Sequence, residues 1–169
     1  IQISTRVPSR SLYGLGEHYS SLNQNFNGWK QLSYWNRDQF PSVGSNLYGD
    51  HPFFMSLEGN GDAHGVFLLN SNAKDFDIQP LPALTFRTIG GILDFYIFSG
   101  PSPDAVITQY TEVIGRPLLP TYWSLGFHMS RYGYQNSTNL KAKIEKLRAM
   151  EFPYVSHQYY GLNSMCNTA

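Results

Sequence analysis

Cysteine is nearly missing from this chain of 169 residues: Cys166 is the single one. An internal disulfide framework is therefore excluded, and cysteine usage leaves the redox compartment open. Charge is scarce as well, with charged residues at 14%, Lys and Arg balancing Asp and Glu at 12 each, and a formal net charge of zero. No basic field exists to attract nucleic acid or an anionic membrane. No apolar run approaches the roughly 20 residues that span a bilayer. Nor does the N-terminus show a basic region, an apolar run and a small-residue cleavage site. The chain is thus expected to insert into no membrane and to carry no signal peptide. His18, His51, His64, His128 and His157 lack the spacing of a metal site. Gly14 and Gly16 lack the third glycine and preceding strand of a dinucleotide fingerprint, and Ser124 and Ser130 lack the elbow of an activated nucleophile. No metal, nucleotide, cofactor or covalent-serine chemistry is expected.

What is abundant is apolar and aromatic: 41% of residues are hydrophobic and 15% aromatic, including 12 Tyr and 11 Phe. That content fills a core, suits β-sheets, and suits clefts in which flat rings cover the apolar faces of sugars. From Gly28 to Gly49, Gly, Asn, Ser and Pro alternate with aromatics, which predicts a long exposed loop. Phe53–Glu58 and Gly65–Asn70 are apolar runs flanking Gly59-Asn60-Gly61-Asp62-Ala63, a hairpin turn. Phe76–Gln79, Leu84–Thr88 and Ile92–Phe98 continue the pattern, with Gly90-Gly91 as another turn. Short strands separated by turns predict an antiparallel β-sandwich.

The period then changes. Ser102 suits an N-cap, Pro103 the first helical position, Asp104 the dipole, and Gly115 followed by Pro117 the helix end. Val106, Ile107, Tyr110, Val113 and Ile114 share one face of this helix. Trp123–Ser130 reads as a buried strand. A second helix over about Ser137–Met150 carries Leu140, Ile144 and Leu147 on one stripe, and Phe152–Val155 starts a further strand. Strand, helix, strand is the unit of a parallel barrel, and one unit cannot close a barrel of eight. The fold class is thus β-rich, with residues 1–116 a sandwich plus linker helix and residues 117–169 an incomplete first βαβ unit of a (β/α)8 barrel.

Several blocks, GLGEH at Gly14–His18, NLYGDHPFFMSLE at Asn46–Glu58, HGVFLLNSNA at His64–Ala73, LPALTFRTIGGILDFYIFSGPSP at Leu81–Pro103, QYTEVIGRP at Gln109–Pro117 and LLPTYWSLGFHMSRYGY at Leu118–Tyr134, occur in order and almost without gaps. They resemble glycoside hydrolase family 31, in its maltase-glucoamylase and sucrase-isomaltase branch. The resemblance implies a galactose-mutarotase-like N-terminal sandwich and the opening strand of the catalytic barrel. It also implies the secretory pathway or cell surface, and hydrolysis of α-linked glucose from oligosaccharide ends. That reaction in its retaining form needs a nucleophilic carboxylate and an acid/base carboxylate about 5 Å apart. The family nucleophile lies in a segment close to Trp-Ile-Asp-Met-Asn-Glu, which has no counterpart here, so no catalytic residue is assigned.

Two family positions are present. Asp38, in Asn36-Arg37-Asp38-Gln39, matches an aspartate that binds the reducing-side sugar, although a loop Asp beside an Arg is otherwise an ordinary solvated pair. Tyr132 matches an aromatic of the non-reducing-end pocket, and it sits where barrel sites are built, at the C-terminal end of the first strand. Relatives carry Pro-Tyr-Asp-Val-Gln-Tyr-Ser-Asp-Ile-Asp-Tyr-Met on the next strand. Here Pro153-Tyr154 leads into VSHQYYGLNSM, with Gly161 and Asn163 in place of two aspartates, either a lost sugar clamp or unrelated sequence from another frame or exon. Asn136-Ser137-Thr138 is a glycosylation sequon, with Asn136 the acceptor. The expected partner is maltose or an α-glucan oligosaccharide, bound weakly, together with self-association through the open barrel edge. Three readings stay open: a truncated, inactive α-glucosidase-like protein, a fragment of an active enzyme, and a non-catalytic carbohydrate-binding or scaffolding module.

Overall fold

The computed structural model describes residues 1–161 and 164–168; for Tyr132 and for residues 157–161 and 164–168 it describes the backbone alone. It divides into two compact units, residues 1–116 and 117–169.

The first unit is an antiparallel β-sandwich. Its strands are β1 (Gln2–Arg6), β2 (Ser11–His18), β3 (Asn23–Gln24), β4 (Lys30–Tyr34), β5 (Asn46–Leu57), β6 (Ala63–Leu68), β7 (Lys74–Gln79), β8 (Ala83–Thr88) and β9 (Phe95–Phe98). One sheet has the order β1-β8-β7-β4 and the other β3-β2-β5-β6-β9. Alternation along each strand sends Leu12, Leu32, Phe54, Phe76, Ile78, Leu84 and Phe86 into one core. The sequence run Phe53-Phe54 does not alternate in polarity because both faces of the five-stranded sheet are covered. Phe54 enters the sandwich, whereas Phe53 joins Ala63, Phe67, Phe98 and Val106 in a second cluster on the outer face.

Helix α1 (Pro103–Ile114) forms that outer layer. The Ser102 side chain accepts from Ala105 N at 3.2 Å, and Gly115 ends the helix with a φ of 93°. Tyr110 stacks on Phe53 with ring centroids 4.1 Å apart, and Val106 is fully buried. Gln109 exchanges two hydrogen bonds with Gly100, of 3.2 and 3.0 Å, fixing the strand-to-helix connection. Ile107, Val113 and Ile114 are exposed, so the buried stripe is narrower than helical spacing alone suggests.

Two expectations are corrected within this unit. The stretch 28–49 is not loop throughout: β4 pairs with β7 and buries Leu32 and Tyr34, and β5 begins at Asn46. The run Ile92–Phe98 is strand only from Phe95.

The second unit contains a 3-10 turn (Tyr122–Leu125), β10 (His128–Tyr132), α2 (Ser137–Ala149), β11 (Ser156–Gly161) and β12 (Ser164–Thr168). The strand expected from Trp123 thus starts only at His128, and the one expected at Phe152 starts at Ser156. β10 and β11 pair in parallel across α2, a βαβ unit. β12 then returns antiparallel on β11 rather than through another helix, which is not how a barrel continues. Leu140, Ile144 and Leu147 form the half-buried stripe of α2.

Candidate functional site

The loop after β4 carries Asp38 and is tied back to the start of β5 residue by residue. The Asn46 side chain donates to the Trp35 carbonyl, Gln39 Nε2 donates to the Asn46 carbonyl at 2.7 Å, and Arg37 N donates to the Leu47 carbonyl at 3.3 Å. Arg37 turns its Nε to Gln39 Oε1 at 2.8 Å. Among the described residues it forms no ion pair with Asp38, so the ordinary surface-pair explanation of this aspartate loses its partner. Instead the Tyr48 hydroxyl donates to the exposed Asp38 carboxylate. Ten residues separate the two, and only the folded loop brings them together.

The GLGEH segment supports this arrangement from below. Glu17 Oε2 accepts from Gly49 N at 2.6 Å, clamping the residue next to Tyr48. The His18 ring lies 3.0 Å from the Leu15 carbonyl and 2.9 Å from the Ser33 carbonyl, bridging β2 to β4. Gly14 has a φ of 102°, and a Cβ there would come within 2.6 Å of the Phe53 carbonyl, so no side chain fits. Through these contacts the motif positions the loop.

Beside the loop, the first unit holds an open cavity of about 610 Å³ lined by Trp35, Asn36, Asp50 and Leu69 among others. Asp50 Oδ2 meets the buried Lys74 ammonium at 2.9 Å. The Tyr34 hydroxyl and Asp50 Oδ1 are buried without a hydrogen-bond partner among the described residues. Burial, and secondarily the Asp50 charge, raise the Tyr34 phenol well above its ordinary value.

Tyr132 lies in the second unit as the last residue of β10, in register with Tyr160 of β11. Asn163 lies outside the described residues. Asn136 is exposed and is the N-cap of α2, its Oδ1 accepting from Asn139 N at 2.8 Å. Its Nδ2, the atom a glycan attaches to, has no partner among the described residues. There, no cluster of three or more His, Cys, Asp or Glu side chains is arranged to hold a metal, and no helix is long and apolar enough to cross a membrane. Sequence reasoning missed Tyr48 and Trp35; the one signal was an aromatic at each end of the loop.

Residues 2–77 match the glycosyl hydrolase 31 N-terminal galactose mutarotase-like domain, and residues 117–159 match the family 31 TIM-barrel domain. The chain belongs to glycosyl hydrolase family 31. Lysosomal alpha-glucosidase of Mus musculus is 51% identical over 90% of this chain. Intestinal sucrase-isomaltase of Homo sapiens is 51% identical over 91%. The chain spans 16% of the first of these relatives and 8% of the second. Among solved structures, a family 31 alpha-glucosidase from Bacteroides thetaiotaomicron superposes with a TM-score of 0.76 at 25% identity, covering 90% of this chain and 26% of its own. The cycloalternan-degrading enzyme from Trueperella pyogenes shares the fold, with a TM-score of 0.78 at 19% identity over 92% of this chain and 23% of its own.

Proposed function

We propose that each of the two units supplies a sugar contact of the α-glucosidase type, without the reacting carboxylates. Asp38 binds hydroxyls of the reducing-side sugar of maltose or an α-glucan oligosaccharide, and Tyr132 lines the non-reducing-end pocket. The observation that carries this reading is the exposed Asp38 carboxylate, held in the loop after β4 by Tyr48 rather than by Arg37. A carboxylate oriented by a hydroxyl and left exposed can accept sugar hydroxyls, which are charge-assisted hydrogen bonds. The relatives that are named alpha-glucosidases support α-glucosides as the substrate class.

The chain by itself is inert in this reading, because the family's nucleophile segment has no counterpart among its 12 acidic residues and retaining hydrolysis needs a nucleophile and an acid/base carboxylate together. Incubation of the purified chain with maltose or a chromogenic α-glucoside is expected to release nothing above buffer. Turnover that persists through repurification, and is abolished by heating, overturns the reading. Binding of maltose, followed by NMR, is expected at millimolar affinity at best. One aromatic contact is worth about 0.5–1.5 kcal/mol, whereas a hydrated carboxylate is screened, so Tyr132→Ala weakens binding more than Asp38→Asn. Micromolar binding, or binding indifferent to Tyr132→Ala, counts against this assignment. The sequon and the secretory location belong to the same proposal, with Asn136 as the acceptor.

A further inference from the structure

We propose that the cavity beside Trp35 binds one pyranose unit of a neutral saccharide, through residues other than Asp38 and Tyr132. It shares a ligand class with the reading above but none of its contacts.

The cavity belongs wholly to the sandwich, and its volume of about 610 Å³ falls in the range of small-molecule sites. Strand alternation explains how Trp35 reaches it: Leu32 and Tyr34 of β4 point into the core, so the next residue points out. Trp35 is 68% exposed, and Leu69, on the same concavity, is 50% exposed. Single exposed apolar residues need no explanation. Two lining one cavity leave a flat apolar surface that a ligand covers with profit.

The polar groups select the ligand. Asp50 is the single charged side chain among those lining the cavity, and buried Lys74 already neutralises it at 2.9 Å. A cationic ligand meets the Lys74 charge behind Asp50, and an anion meets the carboxylate with no arginine to receive it. Asn70 is scaffold: its Nδ2 donates to the carbonyls of Gly90 and Ile92, both at 3.0 Å, and its Oδ1 accepts from Asn72 N at 2.8 Å. The Asn36 amide and the Ser71 hydroxyl are exposed and have no hydrogen-bond partner among the described residues. An aromatic face with a free amide and a free hydroxyl, and no net charge, complements a ring bearing C–H groups on one face and hydroxyls at its edge.

The test is a titration of the isotope-labelled chain with maltotriose, read by NMR at the indole N–H of Trp35 and the side-chain amide of Asn36. Trp29 and Trp123 serve as internal controls. A saturable shift at Trp35 and Asn36, with none at the controls, is expected. Trp35→Ala is expected to weaken it by about tenfold, the scale of one aromatic contact. Trp35→Phe retains a stacking ring and loses less, and Asn36→Ala loses severalfold. Asp38→Asn leaves the Trp35 titration unchanged, which separates this site from the loop carboxylate. Because Trp35 and Asn36 are exposed, these variants keep the wild-type spectrum elsewhere. A Trp35 indole that does not move at tens of millimolar sugar overturns the proposal. So does a shift abolished by Asp38→Asn with Trp35 intact, or one reproduced by glycerol at equal concentration.

Discussion

Tyr34 is 2% exposed, packs its ring on Phe76 at 4.8 Å and on His18 at 5.0 Å, and leaves its hydroxyl without a partner among the described residues. An unmade buried hydrogen bond costs about 1–3 kcal/mol, so the hydroxyl works against the fold while the ring supports it. Tyr34→Phe keeps the ring and is expected to stabilise the sandwich by about 1 kcal/mol at neutral pH. The pH dependence has a definite sign. Folding raises the phenol above its ordinary value of 10.0, so above that pH the unfolded chain releases a proton that the folded chain keeps. The contribution is therefore complete below about pH 10 and is lost as pH rises further. Tyr110, also raised by burial, acts in the same direction. Urea midpoints at pH 7 and pH 10.5 check this: the advantage of Tyr34→Phe over the wild type widens at the higher pH, and a narrowing contradicts it.

At the scale of elements, the junction of α1 with the five-stranded sheet depends on one missing side chain. A Cβ on Gly65 would lie 2.7 Å from Val106 Cγ1 and 2.8 Å from the Phe53 ring, both in a tight apolar cluster. Overpacking of this kind costs about 1–3 kcal/mol. Gly65→Ala is expected to destabilise the sandwich by that amount and to raise hydrogen exchange in α1 before β7 or β8; uniform protection loss would show that the helix is not the element displaced. The helix itself was legible in Ser102, Pro103 and Gly115, because capping chemistry is local. The strands around Phe53, Phe76 and Leu84 were legible for the same reason: apolar runs bounded by turns. β4 was not, since its five residues contain only Leu32 and Tyr34 as apolar anchors and lie between glycines, asparagines and exposed tryptophans. The Trp123 strand was misread because an apolar run also fits a 3-10 turn with exposed side chains. Of the candidate site, Asp38 came from resemblance alone. Its tie to Tyr48 exists only once the loop has closed, and no periodicity records such a contact.

At the scale of the molecule, the two units differ in how they are built. The sandwich covers its five-stranded sheet on both faces and buries two clusters of large side chains. In residues 117–169, α2 buries no residue, and Leu118, Leu119, Tyr122 and Leu125 are exposed, whereas Tyr134 is buried. Covering four such side chains is worth roughly 6–12 kcal/mol, comparable with the stability of a whole domain. The outer edges of the small β10-β11-β12 sheet are also a place where another chain could pair, and self-association through the second unit is the expectation to test. The units are therefore expected to open at different free energies. Limited trypsin digestion is expected to cut first at Lys141, Lys143, Lys146 and Arg148 on α2. Arg87, within β8, is expected to resist for far longer. Concentration-dependent sedimentation should accompany the intact chain and disappear from the resistant sandwich. A monomeric chain in which α2 outlasts β8 would show that the barrel unit finds its own cover and that the sandwich is not the more stable half.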